Sequence, residues 1–317
     1  MQSSRAGLCW QAEVDLARRQ VKGARRYSPF TNFDWSIAMN FKSDGRACVF
    51  SLIALLGTPL LCAAAPTHNE TVAGREAVIY VPGHLPASGS RALVVVLHGG
   101  LGNAQRIATQ QSEGGLNLNA EAEEYGFVVA YLNGTPVARM LGAQRLGWNA
   151  GACCGQPAEK RVDDVAYIQA AVNQLAGQYG VERNRIFAIG HSNGAMMTQR
   201  LMCETDHFAA AVSVSGTLEN GATQCPAAQG KRLLALHGAD DQNVPIAGGK
   251  GSKGLSHVAF ASQAATAKVW QASGAVYDLQ IVPGADHAVD HIDAQIRRTE
   301  GQSLGLKVAR YLGLAPR

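Results

Sequence analysis

From about residue 76 onward, short runs of β-branched and aliphatic residues alternate with longer stretches in which apolar side chains recur every three or four positions. The runs are 77–81, 92–97, 127–131, 185–189, 210–214, 233–236 and 277–282. Several are apolar without alternation, the mark of a strand covered on both faces. Between them, the periodicity predicts helices over 163–179, with Val165, Ile168, Val172 and Leu175 on one side, over 193–203, over 259–273, and one near 291–311. Strand and helix alternating at this spacing predict an α/β fold: a mostly parallel central sheet with helices on both faces. Two stretches, 136–157 and 245–256, fit neither period and are predicted as long surface loops. Loops of that length are often binding elements, the plain alternative being a tolerated insertion.

Composition narrows the class. The chain has 317 residues, 47% hydrophobic and 16% charged, which is ample for a substantial core and excludes a disordered or fibrous chain. Formal net charge is +4, but eight basic and four acidic residues fall within positions 1–64, so the body from residue 65 onward is neutral. A nucleic-acid partner needs a basic face to neutralise phosphates, and this body supplies none. Lys42 and Arg46 precede an apolar run from Cys48 to Leu56, and Ala63, Ala64 and Ala65 follow. Basic, apolar, then small is the order of a cleaved export signal, so 39–64 reads as a signal peptide starting at Met39. Residues 1–38 then read as unstructured or as an over-extended gene start, and 65–317 as one catalytic domain without a separate lid. The apolar run falls well short of the ~20 residues a membrane-spanning helix needs, so no stable span is expected in the mature form. The expected location is secreted or periplasmic.

Export changes the reading of the cysteines. Setting aside Cys9, Cys48 and Cys62 leaves Cys153, Cys154, Cys203 and Cys225, an even number in an oxidising compartment. The favoured pairing is Cys203 with Cys225 and Cys153 with Cys154, the alternative being that the adjacent pair bonds elsewhere or stays reduced. No second Cys or His pair stands at ligand spacing, so no metal is expected.

The chemistry concentrates in Gly190-His191-Ser192-Asn193-Gly194, which follows the strand ending at Ile189 and opens the next helical stretch. That strand–turn–helix setting is what a nucleophile elbow needs, the glycines permitting close approach and the serine hydroxyl being exposed. A serine hydroxyl is a weak nucleophile without a base and an orienting acid. Asp241, just past the strand 233–236, is the candidate acid, with Asp240 as its register-shifted alternative. His287, in the loop after the last strand, is the candidate general base, with His291 and His257 as alternatives. His98-Gly99-Gly100-Leu101-Gly102 follows another strand and offers a backbone N–H for a developing oxyanion. Gly100 and Asn193 are the assigned donors, Leu101 the alternative to Gly100. Trp148 is a candidate substrate wall, an ordinary packed tryptophan being the other reading. Asp163 and Asp164 read as helix caps and dipole partners.

With Leu97-His98-Gly99-Gly100, Gly190-His191-Ser192-Asn193-Gly194, His237-Gly238-x-x-Asp241-x-x-Val244-Pro245 and Gly284-x-x-His287 in this order, the chain resembles secreted α/β-hydrolases of the polyhydroxybutyrate depolymerase-like and feruloyl esterase group. The likeness runs from about residue 70 to the C-terminus and includes Trp148-Asn149-Ala150-Gly151 and Val162-Asp163-Asp164-Val165. It implies an α/β-hydrolase fold and hydrolysis of carboxylic esters through an acyl-serine, without a cofactor. Hydroxyalkanoate oligomers or small esters are the expected substrates, and feruloyl or acetyl-xylan-type esters the alternative. An aromatic residue and proline commonly follow the base in this group, whereas Ala288 and Val289 follow His287, so the local substrate wall differs. No separate polymer-binding domain is visible in the sequence, which favours soluble oligomers over a crystalline polyester. A serine peptidase of the same fold and a non-catalytic binding protein remain as competing classes.

Overall fold

The architecture is that of a computed structural model, which describes residues 67–317 apart from 110, 111, 113, 138–144, 255 and 257. The signal peptide expected at 39–64 and the segment 1–38 before it, with the three cysteines set aside above, lie outside the described residues, as does His257. Along the chain run β1 (Thr67–Val72), β2 (Arg75–Tyr80), β3 (Arg91–Leu97), β4 (Phe127–Leu132), β5 (Thr135–Pro136), β6 (Leu146–Gly147), β7 (Val181–His191), β8 (Ala210–Val214), β9 (Arg232–Gly238) and β10 (Val276–Val282). Eight of these form one sheet in the order β1-β2-β4-β3-β7-β8-β9-β10. From β4 to β10 all pairs are parallel; β1 and β2 are antiparallel additions at one edge.

The absence of alternation in the central runs has a direct cause. Leu93, Val95 and Leu97 of β3 belong to the core layer shared with Ile168, Val172 and Met197. Val94 and Val96 belong to the layer on the other face, with Ile292, Ile296 and Val308. Helices Asp164–Tyr179, Asn193–Glu204 and Gln263–Ala272 supply the first layer; Val289–Glu300 and Leu304–Tyr311 cover the second. Each inward position removes apolar surface from water at about 25 cal/mol per Å², so both faces of every central strand must be apolar.

Four expectations change. Thr67–Val72 is a strand, although its burial is confined to one end and its sequence, THNETV, is polar. It is folded back on β2 through Ala73 and Gly74, at φ 48° and 84°. The helix expected near 291–311 is two: Val289–Glu300 ends at Gly301 in the left-handed region, φ 68°, and Ser303 caps Leu304–Tyr311 by accepting from the Leu306 amide. The loop 136–157 contains the β5–β6 hairpin and a short helix, Gly155–Glu159. The helix expected over 259–273 starts later, at Gln263, capped by the Ser262 hydroxyl. Cys203 and Cys225 are joined by a disulfide, with Cα atoms 4.4 Å apart, tying the end of helix Asn193–Glu204 to the segment before β9.

Candidate active site

β7 ends at His191, and Ser192 adopts φ 55°, ψ −121° before helix Asn193–Glu204 begins. Such a backbone is strained for serine and persists only where the surroundings over-determine it. They do so here through two glycines. A Cβ on Gly190 would lie 2.7 Å from the Ala195 nitrogen, and one on Gly194 would lie 2.5 Å from the His98 carbonyl oxygen. Strand and helix therefore approach to backbone contact, and the turn between them is left no softer alternative. The Ser192 amide is held by the Val214 carbonyl at 2.9 Å, while its hydroxyl lines an open cleft.

His287 reaches that hydroxyl from the loop after β10. Ser192 Oγ–H donates to His287 Nε2 at 2.9 Å, and His287 Nδ1–H donates to Asp241 Oδ2 at 2.7 Å. The His287 carbonyl is fixed from behind by His191 Nε2–H at 2.9 Å and the Ser215 hydroxyl at 3.3 Å. Asp241 stands in the turn after β9, its Oδ1 accepting the amides of Asn243 and Val244 at 2.8 and 2.9 Å. His237 Nε2–H donates to the Val244 carbonyl at 2.8 Å and lies 3.0 Å from Asp241 Oδ2. Its tautomer is set on the other nitrogen, which accepts from the Gln263 amide at 2.6 Å. Burial pushes the Asp241 carboxyl up, but hydrogen bonds from His237, His287 and the Val244 amide outweigh it and hold the carboxyl well below the usual range. Asp241 is thus a fixed anion. Asp240 is exposed, and His291 pairs instead with Asp286 at 2.8 Å on the surface.

Gly100 and Asn193, the two candidate oxyanion donors, line the same cleft as the hydroxyl. The Gly99 carbonyl accepts from His98 Nδ1–H at 2.8 Å and from the Gly102 amide at 3.0 Å. Because a trans peptide directs its N–H opposite its C=O, clamping that carbonyl turns the Gly100 N–H the other way. The Leu101 amide is committed to the Leu146 carbonyl at 2.8 Å, which removes Leu101 as the alternative donor. The Asn193 amide is the first of its helix and has no intrahelical acceptor, so it adds the positive end of the helix dipole. His98 itself is neutral: burial lowers its pKa to about 4, and its Nε2 accepts from the Gly134 amide at 3.0 Å.

Trp148 requires a correction. It is fully buried and does not line the cleft, so it is not a substrate wall. Its indole Nε1–H donates to the His98 carbonyl at 2.9 Å, and its own amide and carbonyl pair with the Asn193 side chain at 2.7 and 3.1 Å. Asp164 is more than a dipole partner. Fully buried, it takes Arg75 on Oδ1 at 2.7 Å and the Asn149 amide on Oδ2 at 2.8 Å, which anchors the loop carrying Trp148. Asp163 is the helix cap, accepting from the Ala166 amide at 3.0 Å.

The cleft above Ser192 encloses about 560 Å³. Val137, Met196, Val244, Val258 and Phe260 give it apolar walls, and Cys154 contributes to one of them. Cys153 is buried behind Cys154, and their sulfur atoms stand against each other. Among the described residues, no cluster of three or more His, Cys, Asp or Glu could hold a metal ion, and no helix is long and apolar enough to cross a membrane.

A family model described as phospholipase/carboxylesterase matches residues 84–291. The chain is 32% identical over 197 residues to NocK of Nocardia uniformis subsp. tsuyamanensis, provisionally assigned as an esterase; the match covers 60% of this chain and 52% of that protein. It is 25% identical over 181 residues to feruloyl esterase B of Piromyces equi, covering 55% of this chain and 31% of that protein. The chain thus spans about half or less of the length of these relatives. The structure of acetyl xylan esterase from Aspergillus awamori superposes with a TM-score of 0.53 at 18% identity, covering 79% of this chain and all of that one. At that identity the likeness is one of fold, the α/β-hydrolase fold.

Proposed function

The chain belongs to the phospholipase/carboxylesterase family, and from that premise we propose that it is an exported serine carboxylic ester hydrolase acting through an acyl-serine. The observation that carries this reading is the unbroken hydrogen-bond path from Asp241 through His287 to Ser192 at the floor of an apolar cleft. Ser192 Oγ adds to the ester carbonyl carbon as its proton passes to His287 Nε2. The carbonyl oxygen becomes an oxyanion between the Gly100 and Asn193 amides. Collapse breaks the ester C–O bond, and His287 returns the proton to the departing alcohol. Water then repeats the sequence on the acyl-enzyme, releasing the acid and restoring the serine. Asp241 holds the imidazole in the required tautomer and stabilises its charged form.

Hydroxyalkanoate oligomers or small esters are the leading substrates, a reading supported by the resemblance of the site motifs to polyhydroxybutyrate depolymerase-like hydrolases. The feruloyl esterase relative supports the alternative of hydroxycinnamoyl esters. Export would place Cys153 and Cys154 under oxidising conditions and close them into a bridge; intact mass with and without reductant reads that directly. The reading of the chemistry is tested with a fluorophosphonate probe and with p-nitrophenyl esters of rising chain length, methyl ferulate and hydroxybutyrate oligomers. Labelling and hydrolysis that disappear in Ser192→Ala are expected, and labelling that survives the substitution would refute the assignment. Turnover of oligomers but not methyl ferulate selects the hydroxyalkanoate reading, and the reverse selects the aryl one.

A further inference from the structure

We propose that Trp148 is a positioning residue that fixes both oxyanion donors at once, through three hydrogen bonds running to the two separate elements that carry them. This rests on the esterase reading above. One donor, Gly100, lies in the loop after β3; the other, Asn193, opens helix Asn193–Glu204. Toward the first, the Trp148 indole N–H holds the His98 carbonyl at 2.9 Å, one peptide before the Gly99–Gly100 unit. Toward the second, the Trp148 amide and carbonyl clasp the two ends of the Asn193 carboxamide at 2.7 and 3.1 Å, and Asn193, whose backbone N–H is left without an intrahelical acceptor at the helix start, lines the cleft.

The brace is itself immobile. The indole packs with the His98 imidazole, ring centroids 5.0 Å apart, and stacks on Tyr167 at 6.5 Å and 21°. The next residue is pinned on both sides: the Asn149 amide by buried Asp164 at 2.8 Å, and the Asn149 carbonyl by Arg200 at 2.7 Å. Gly100 and Asn193 come close enough that a Cβ on Gly100 would lie 3.8 Å from that of Asn193. Amides stabilise an oxyanion only when both sit at hydrogen-bond distance from one point, so a brace shared by the two removes their relative drift. Such a residue acts on the transition state and leaves ground-state binding alone.

Two variants test this, each read with p-nitrophenyl acetate and with phenylboronic acid, whose tetrahedral serine adduct places an oxygen where the oxyanion forms. Trp148→Phe keeps a ring against His98 and Tyr167 but deletes the indole N–H. Asn193→Ala cuts the carboxamide clasp and leaves the backbone N–H in place. Each is expected to lower kcat by about 10–100-fold, with KM within about threefold, and to raise the boronate inhibition constant by the same factor as kcat falls. Cooperative thermal unfolding identifies variants that are folded. A folded Trp148→Phe with kcat within twofold of the parent, a loss carried by KM, or an unchanged boronate constant would overturn the proposal. Should Trp148→Phe not fold, Asn193→Ala decides by the same criteria. A parent protein that neither binds boronate nor hydrolyses any ester would instead sink the esterase reading.

Discussion

Lowering the pH from 7 to 5 should destabilise this protein, and His98 is the residue through which the effect can be isolated. Its ring is 1% exposed, donates from Nδ1 to the Gly99 carbonyl and accepts on Nε2 from the Gly134 amide. Burial holds its pKa at about 4, against an unfolded value of 6.5. Between those values the unfolded chain carries a proton that the folded protein refuses, so stability rises with pH across the window. It is fully present above about 6.5, drains as the pH falls, and changes no further below about 4. At 1.36 kcal/mol per unit, the window corresponds to about 3 kcal/mol, of which about 2 falls between pH 7 and 5. His98→Asn places an amide N–H where Nδ1–H stands, deletes the titration, and leaves the Gly134 N–H without its acceptor at a pH-independent cost of about 1–3 kcal/mol. His191, lowered to about 3 by burial and by the neighbouring His287, titrates alike in both proteins and cancels. Urea denaturation should therefore find His98→Asn less stable at pH 7, with the gap closing by about 2 kcal/mol at pH 5. A gap that is constant or widens would refute the argument that the ring is held neutral.

Two other perturbations follow from contacts already described. Asp164→Asn removes the charge that pairs with Arg75 and weakens the hold on the Asn149 amide. It should cost about 3 kcal/mol by chemical denaturation and lower kcat more than it raises KM, because the Trp148 loop loses its anchor. Cys203→Ser opens a disulfide spanning 22 positions; the loop-entropy model sets its contribution at about 3 kcal/mol. The variant's melting temperature should fall by several degrees relative to the oxidised parent, with kcat on p-nitrophenyl acetate unchanged.

The strands that lead to Ser192 and Asp241 were legible because their C-terminal stretches are buried on both faces. In β3, Val94 and Val96 face one layer and Leu93, Val95 and Leu97 the other, so the sequence shows an uninterrupted apolar run. Ser192 and Asp241 each follow such a run within a few residues, whereas His287 follows β10, a largely exposed edge strand interrupted by Asp278 and Gln280; order along the chain still brings all three to one rim. Thr67–Val72 escaped notice for the opposite reason: it is held by β2 pairing, and its exposed polar side chains carry no period. The single helix expected over 291–311 failed on a break that depends on Gly301 adopting a left-handed backbone and Ser303 recapping the chain. Trp148 illustrates the remaining gap. It is held by His98 and Asn193, partners 50 and 45 positions away in sequence, and no local pattern encodes such a choice. The decision between Gly100 and Leu101 turned likewise on one distant carbonyl, that of Leu146.

The reacting groups sit at a helix start and in the short turns that follow β9 and β10, whereas Val137, Cys154, Val258 and Phe260 come to the cleft from other connecting segments. Bond cleavage and substrate choice are thereby housed in separable parts of the molecule. A library confined to those four wall positions could be screened for new acyl or alcohol preferences while every contact to Ser192, His287 and Asp241 stays as it is.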